Sequence, residues 1–225
     1  MGDKEQDVKE RILLESMRLF LANGFVGTSV KNLTDAAGIA RGTLYWHFSS
    51  KDQILDEILN RYSKQFVNGW IETIKGEGRN FLTKFYALYK FITEFTRDHR
   101  ELLLVFDTLF GEISRNGTKA ASKMKEIRSK LRVSIESLLA AGQKEGMVDQ
   151  NIDVTMHAHI IMATFTGMLL NWFVYEDVLD AVAYSRAFRE TLLRGLISEK
   201  ANAVRKAAAA VSTPKGIKRK KDKAK

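Results

Sequence analysis

With 225 residues, 45% hydrophobic and 28% charged, the chain is long enough to bury a core and ordinary enough in composition for a globular domain or two. No run approaches the ~20 apolar residues of a membrane span. The first residues lack the apolar stretch of a signal peptide, and the absence of cysteine excludes disulfides and thiolate chemistry. A soluble protein of the cytoplasm, with no membrane partner, is expected. The formal charge of +9 is unevenly placed: residues 200–225 carry ten basic side chains and one acidic, which leaves 26 of each over residues 1–199. The body is formally neutral, so bulk basicity is no argument that it binds nucleic acid.

Apolar residues recur at helical spacing throughout, as in Val8, Ile12, Leu13, Leu19 and Phe20, and the sole proline is Pro214 in the tail. An all-α fold is predicted, with joints at Gly24/Gly27, Gly38, Gly76/Gly78, Gly111/Gly117 and Gly142/Gly146. In chain order, helices are expected near residues 5–22, 29–37, 40–47 and 51–74. Five more, near 80–97, 101–110, 118–144, 153–175 and 180–198, build a larger bundle, the last two capped by Asp153 and Asp180. The domain reading is a helix-turn-helix unit over residues 1–50, a helical bundle over 51–199, and a basic, disordered tail over 200–225. The tail reads equally as a solubility segment or as an arm on phosphates.

The informative stretch runs from Gly27 to Phe48. Ser29 can cap a short helix whose Val30, Leu33 and Ala37 face inward; Gly38 tolerates the positive φ of a tight turn, and Ile39 plugs the angle between two helices. The second helix turns Leu44 and Phe48 inward, leaving Arg41, Gly42, Thr43, Tyr45, Trp46 and His47 over the remaining surface. A helix fits the major groove and reads bases with its N-terminal residues. There Arg41 can fork onto a guanine, Thr43 can meet a base or a thymine methyl, and Gly42 allows close backbone approach. Tyr45, His47 and Lys51 suit phosphates, and Thr28, Ser29 and Lys31 lie at a helix N-terminus that favours one. The plain alternative is a solvated helical corner. The exposed Tyr45-Trp46-His47 cluster argues against it, since large rings left on a surface usually serve a contact.

Residues 37–52, Ala-Gly-Ile-Ala-Arg-Gly-Thr-Leu-Tyr-Trp-His-Phe-Ser-Ser-Lys-Asp, resemble the signature of TetR-family transcription regulators, and residues 19–30 are similar to that family's first-helix end and following loop. The resemblance covers about residues 8–60. By position it implies base contacts from Lys31, Arg41, Gly42 and Thr43, and phosphate contacts from Thr28, Ser29, Tyr45, Trp46, His47 and Lys51. Val30 stands where the family often has a hydroxyl residue. The family architecture further implies a C-terminal bundle that dimerises and binds an effector.

Residues 81–110 hold eight aromatics, over a quarter of the segment against 10% for the chain. Each is more often plain core; together they suggest a pocket for an apolar or aromatic small molecule. Phe85, Tyr89, Phe95, Phe106 and Phe110 are its candidate lining, with Met124, Ile127, Leu131 and Met162 as further walls. Asn171 is a candidate polar contact there or at an interface. The helix near 153–175 is apolar on more than one face, and Gly167 would admit a second helix. Phe165, Met168, Leu169 and Trp172, with Tyr184, Phe188, Leu192 and Leu196 of the last helix, are expected to form half of a four-helix homodimer interface.

His157 and His159 are two apart on a helix and diverge, so no metal site is expected, and no cofactor motif is present. No nucleophile-base set, paired carboxylates with histidine ligands or phosphate-cradling glycine loop can be assembled, so no enzyme is expected. The expected function is a dimeric repressor on a palindromic double-stranded DNA operator, its recognition helices about 34–36 Å apart, released by a small-molecule effector. The rival is a DNA-binding regulator that is controlled by a partner protein, or acts architecturally, without such an effector.

Overall fold

A computed structural model describes residues 2–76, 80–115, 117–199 and 201–203. Among these residues the fold is all helical: α1 (Gly2–Gly27), α2 (Val30–Ala37), α3 (Arg41–His47), α4 (Lys51–Arg61), a π-helical segment (Tyr62–Val67), α5 (Asn68–Lys75), α6 (Phe81–Asp98), α7 (Arg100–Ile113), α8 (Lys119–Lys144), α9 (Val154–Val174) and α10 (Ala181–Leu196). An isolated antiparallel bridge, Val148 to Ile197, ties the residue after α10 to the turn after α8.

Local chemistry explains most boundaries. Asn80, Thr118, Asp153 and Asp180 each accept the N–H three residues on, at 2.9, 3.1, 3.0 and 2.7 Å, so α6, α8, α9 and α10 begin on side-chain caps. Gly24 takes φ 73°, ψ 170°, a conformation reserved for glycine, and breaks α1 before its last turn. Gly111 and Gly142, read from sequence as joints, instead lie inside α7 and α8. Gly142 is there for proximity: a Cβ would fall 2.5 Å from Val148 Cγ2 and 2.8 Å from the Phe81 ring.

The helix expected over residues 51–74 is continuous, but six of its residues are wound as a π-helix. The wider winding places Tyr62, Phe66 and Val67 in the core together. Tyr62 stacks on Phe106 with centroids 3.9 Å apart and a 10° interplanar angle. Phe66 packs on Trp70 and Phe95. One apolar core runs from Ile12, Leu13 and Phe20 of α1 through Leu103 and Phe106 of α7 to Leu169 of α9 and Leu193 of α10. Within it Asp107 meets Arg128 at 2.8 Å and accepts a hydrogen bond from Thr166 at 3.2 Å, joining α7, α8 and α9. Burial raises the Asp107 carboxyl pKa, and Arg128 and Thr166 oppose that rise. Residue 200 and residues 204–225, most of the basic tail, lie outside the described residues. Among the described residues no helix is long and apolar enough to cross a membrane.

Candidate nucleic-acid interface and effector cavity

The α2–α3 corner is built from both ends. Ser29 Oγ accepts the Asn32 N–H at 3.1 Å while Asn32 Oδ1 accepts the Ser29 N–H at 2.9 Å, a reciprocal cap that fixes the start of α2. Gly38 then turns left-handed at φ 60°, ψ 41°, and its N–H returns to Asp35 O. Leu33, Ala37, Leu44 and Phe48 are buried beneath the turn, which locks the roll of α3 about its axis.

That roll decides what α3 presents. Arg41 and Gly42 are exposed and Thr43 is half-buried. Tyr45 is 41% exposed and Trp46 74% exposed, so the aromatic cluster does lie on the surface. Arg41 Nη2 donates to the Tyr45 hydroxyl at 3.3 Å, with its guanidinium 5.5 Å from that ring. A Cβ on Gly42 would meet nothing within 4 Å, so close approach from outside is open. His47 is half-buried and Ser29 exposed. Lys31 projects from the same corner, paired to Asp35 at 2.6 Å, and that pairing raises its pKa and keeps it charged.

Two residues expected at phosphates have internal duties. Thr28 is fully buried, and its hydroxyl donates to Gly24 O at 2.7 Å and Leu19 O at 3.3 Å. Lys51 Nζ donates to Phe25 O and Thr28 O at 2.6 and 2.7 Å and sits 4.4 Å from the Phe25 ring centroid. Both side chains clamp the loop before α2. Sequence reading also missed Glu112 of α7, which accepts the backbone N–H groups of Phe25 and Val26 at 3.0 and 2.9 Å. It lies 87 residues from Phe25, and no local pattern announces it. Lys123 of α8 adds a second tie, reaching Asp56 and Asn60 of α4 at 2.5 and 2.7 Å.

In the bundle, Phe85 and Tyr89 line a small apolar cavity of about 20 Å³ among α5, α6, α8, α9 and α10, with Trp70, Ile135, Phe165 and Phe188. Phe110 and Met162 instead flank an open basic groove with Lys125, Arg128 and Arg132. Phe95, Phe106, Met124, Ile127 and Leu131 are buried in the packed core, where Phe106 is occupied by Tyr62. Asn171 is exposed and donates to the Tyr184 hydroxyl at 3.2 Å, joining α9 to α10.

The residues expected at the dimer interface fall differently as well. Phe165, Leu169 and Leu196 are buried within the protomer. Met168, Trp172 and Tyr184 line an outer groove of about 430 Å³ between α6, α9 and α10. Phe188 and Leu192 line the small inner cavity. The outward apolar stripe of α9 is Met156, Ile160, Ala163, Gly167 and Val174, at intervals of three, four and seven residues. Exposures of 59%, 51% and 66% at Met156, Ile160 and Val174 mark it as a face without a cover in the single chain. His157 and His159 join no cluster of metal-binding side chains among the described residues.

The family described as "Bacterial regulatory proteins, tetR family" matches residues 12–58, and that described as "MAATS-type transcriptional repressor, C-terminal region" matches residues 85–197. The chain is 23% identical over 186 residues to the fatty acid metabolism regulator protein of Bacillus subtilis, covering 83% of this chain and 94% of that protein. Its fold superposes on the MbdR regulator from Azoarcus sp. CIB with a TM-score of 0.77 at 26% identity, over 85% of this chain and 100% of that one. It superposes on FadR from Bacillus subtilis in complex with stearoyl-CoA with a TM-score of 0.66 at 22% identity, over 83% and 98%. With a helix-turn-helix whose reading face is exposed and family matches over both parts of the sequence, the chain belongs to the TetR family of bacterial transcription regulators.

Proposed function

We propose that this regulator is a homodimeric repressor that holds α3 of each protomer in the major groove of a palindromic operator and is released by an apolar effector bound inside the bundle. The observation that carries the reading is the fixed roll of α3: Leu44 and Phe48 are buried, and Arg41, Gly42 and Tyr45 are left outward. Arg41 and Thr43 contact base edges; Ser29, Tyr45, Trp46 and His47 contact the backbone, and Lys31 does so on leaving Asp35. Thr28 and Lys51 support them by fixing the loop before α2. The reader then comprises residues up to about 50, and the bundle the residues from Lys51 onward.

The uncovered stripe of α9 is the face that a second copy covers, and α10 adds the exposed small residues Ala183, Ala187, Thr191 and Gly195 at four-residue intervals. The effector enters the cavity bounded by Phe85, Tyr89, Phe165 and Phe188. At about 20 Å³ that cavity holds little more than one water, so an effector fits only by moving helices apart. Such a ligand binds the spread state better than the closed one, and so shifts the population. The stearoyl-CoA complex of the FadR relative supports a ligand with a long apolar body.

Selection of bound duplexes from a random pool, with and without apolar compounds, tests the reading. An inverted repeat whose recovery falls in the presence of an apolar compound supports it. Recovery of unrelated sequences without symmetry refutes it.

A further inference from the structure

Two buried polar atoms between α6 and α10 lack a hydrogen-bond partner among the described residues: the Tyr89 hydroxyl and Arg189 Nε. Tyr89 is only 6% exposed, and a hydroxyl left unmatched at that depth is destabilising. Both residues line one outer groove, where the Arg189 guanidinium lies 4.9 Å from the Tyr86 ring centroid. Burial raises the pKa of the Tyr89 hydroxyl, and the charge of Arg189 pulls it partly back. Tyr89 also packs on Phe188, one residue before Arg189, with centroids 6.1 Å apart. Tyr89 borders two spaces at once, the apolar inner cavity and an outer groove of about 290 Å³. Lys90, Arg186 and Arg189 line that groove against one acid, Glu94, 3.9 Å from Lys90, so its rim is net basic; Arg189 Nη2 also meets Glu190 at 3.4 Å.

We infer that Tyr89 and Arg189 form the receptor for an oxygen acceptor, a carboxylate or acyl carbonyl, at the end of an otherwise apolar effector. The inference rests on the reading of the inner cavity as the effector site. Arg189 Nε–H can only donate, and the Tyr89 O–H is available to donate, so the complementary group must accept two hydrogen bonds. A charged acceptor makes the stronger pair. Phe85, Ile92, Phe165 and Phe188 then receive the apolar body. Entry is from the basic rim, past the Thr93–Ser185 hydroxyl contact of 3.4 Å that spans α6 and α10.

The test is titration of the full-length dimer with dodecanoate, dodecanoyl-CoA and dodecanol at low micromolar concentration, repeated with Tyr89→Phe and Arg189→Gln. The expected result is that at least one acyl probe binds better than the alcohol, and that this preference falls about tenfold in each variant. The free acid and the thioester distinguish the two sources of the acyl oxygen. Tyr89→Phe should also melt, ligand-free, no lower than the parent, because it deletes only the unmatched hydroxyl. An unchanged acyl-to-alcohol ratio in both variants, or a parent that favours the alcohol, overturns the inference. A parent that binds none of the three, nor any other apolar compound, overturns the effector cavity itself and this inference with it.

Discussion

Glu112 in α7 holds Phe25 at the end of α1 by accepting its backbone N–H at 3.0 Å, with the Val26 N–H at 2.9 Å on the other carboxylate oxygen. One side chain of the bundle thereby fixes the loop that leads into the reading helices. The same α7 carries Phe106, stacked on Tyr62 of the π-helical segment, and Asp107, paired with Arg128. α7 is thus tied to the loop before α2 by a short, charge-assisted link.

Gly24 makes this link possible, because its backbone is in a region side chains avoid and a Cβ would fall 2.9 Å from Glu112 Oε2. Gly24→Ala should destabilise by about 1–3 kcal/mol. Gly111→Ala, in the exposed helical interior of α7 with nothing within 4 Å of the new Cβ, should stabilise by about 0.5–1 kcal/mol. Urea unfolding of the two variants checks the contrast, and equal effects would contradict it.

Asp107 and Arg128 are 4% and 18% exposed, so removing one leaves the other charge stranded. Asp107→Ala should cost about 3–5 kcal/mol, while the double change Asp107→Leu with Arg128→Met should recover most of that loss. Because burial raises the folded-state pKa of Asp107, the folded protein keeps this proton to higher pH than the unfolded chain. Stability from this group therefore falls as pH rises through the window above the ordinary aspartate value of 3.8. Guanidinium unfolding from pH 3.5 upward, for the parent and the double variant, would show that slope only in the parent.

Glu10 and Arg61 form a bidentate pair at 2.5 Å that ties α1 to α4, and Arg61 lowers the Glu10 pKa below the ordinary glutamate value of 4.5. The sign is opposite to that of Asp107: the contribution is present above pH 4.5 and is lost as pH falls through the lower, folded-state value. Glu10→Gln should therefore melt below the parent at pH 7, and the difference should vanish in acid. A difference that persisted undiminished in acid would show that the pair does not act through its charge.

Ile160 is 51% exposed at the middle of the uncovered α9 stripe. Ile160→Glu would place a charge against the partner chain and should yield monomers at micromolar concentration, with operator affinity reduced by well over tenfold. Sedimentation velocity reads the mass directly. A dimer of unchanged stability would put the interface elsewhere.

The reader was legible in the sequence because its determinants are local. Ser29 caps α2, Gly38 allows the turn, and Leu44 with Phe48 sets the buried side of α3, all within 20 residues. Residues fixed by distant partners were not legible. Lys51 looks like a surface group, yet its ammonium is held by the carbonyls of Phe25 and Thr28, 26 and 23 residues earlier. In α9 apolar residues occur all round the helix, so periodicity could not say which side faces inward; the structure buries Phe165 and Leu169 and exposes Met156 and Ile160. The π-helical winding leaves no mark in an otherwise regular helical pattern, and the unmatched Tyr89 hydroxyl depends on α10, about a hundred residues later.

The most direct test of the account is the specificity ratio of Arg41→Ala and Thr43→Ala, measured as affinity for the selected operator against random duplex by fluorescence anisotropy at several salt concentrations. If α3 reads bases, each variant should lose about 1–3 kcal/mol of operator preference, while affinity for random duplex changes much less. Operator preference retained in full by both variants would contradict the assignment of α3 as the reading helix.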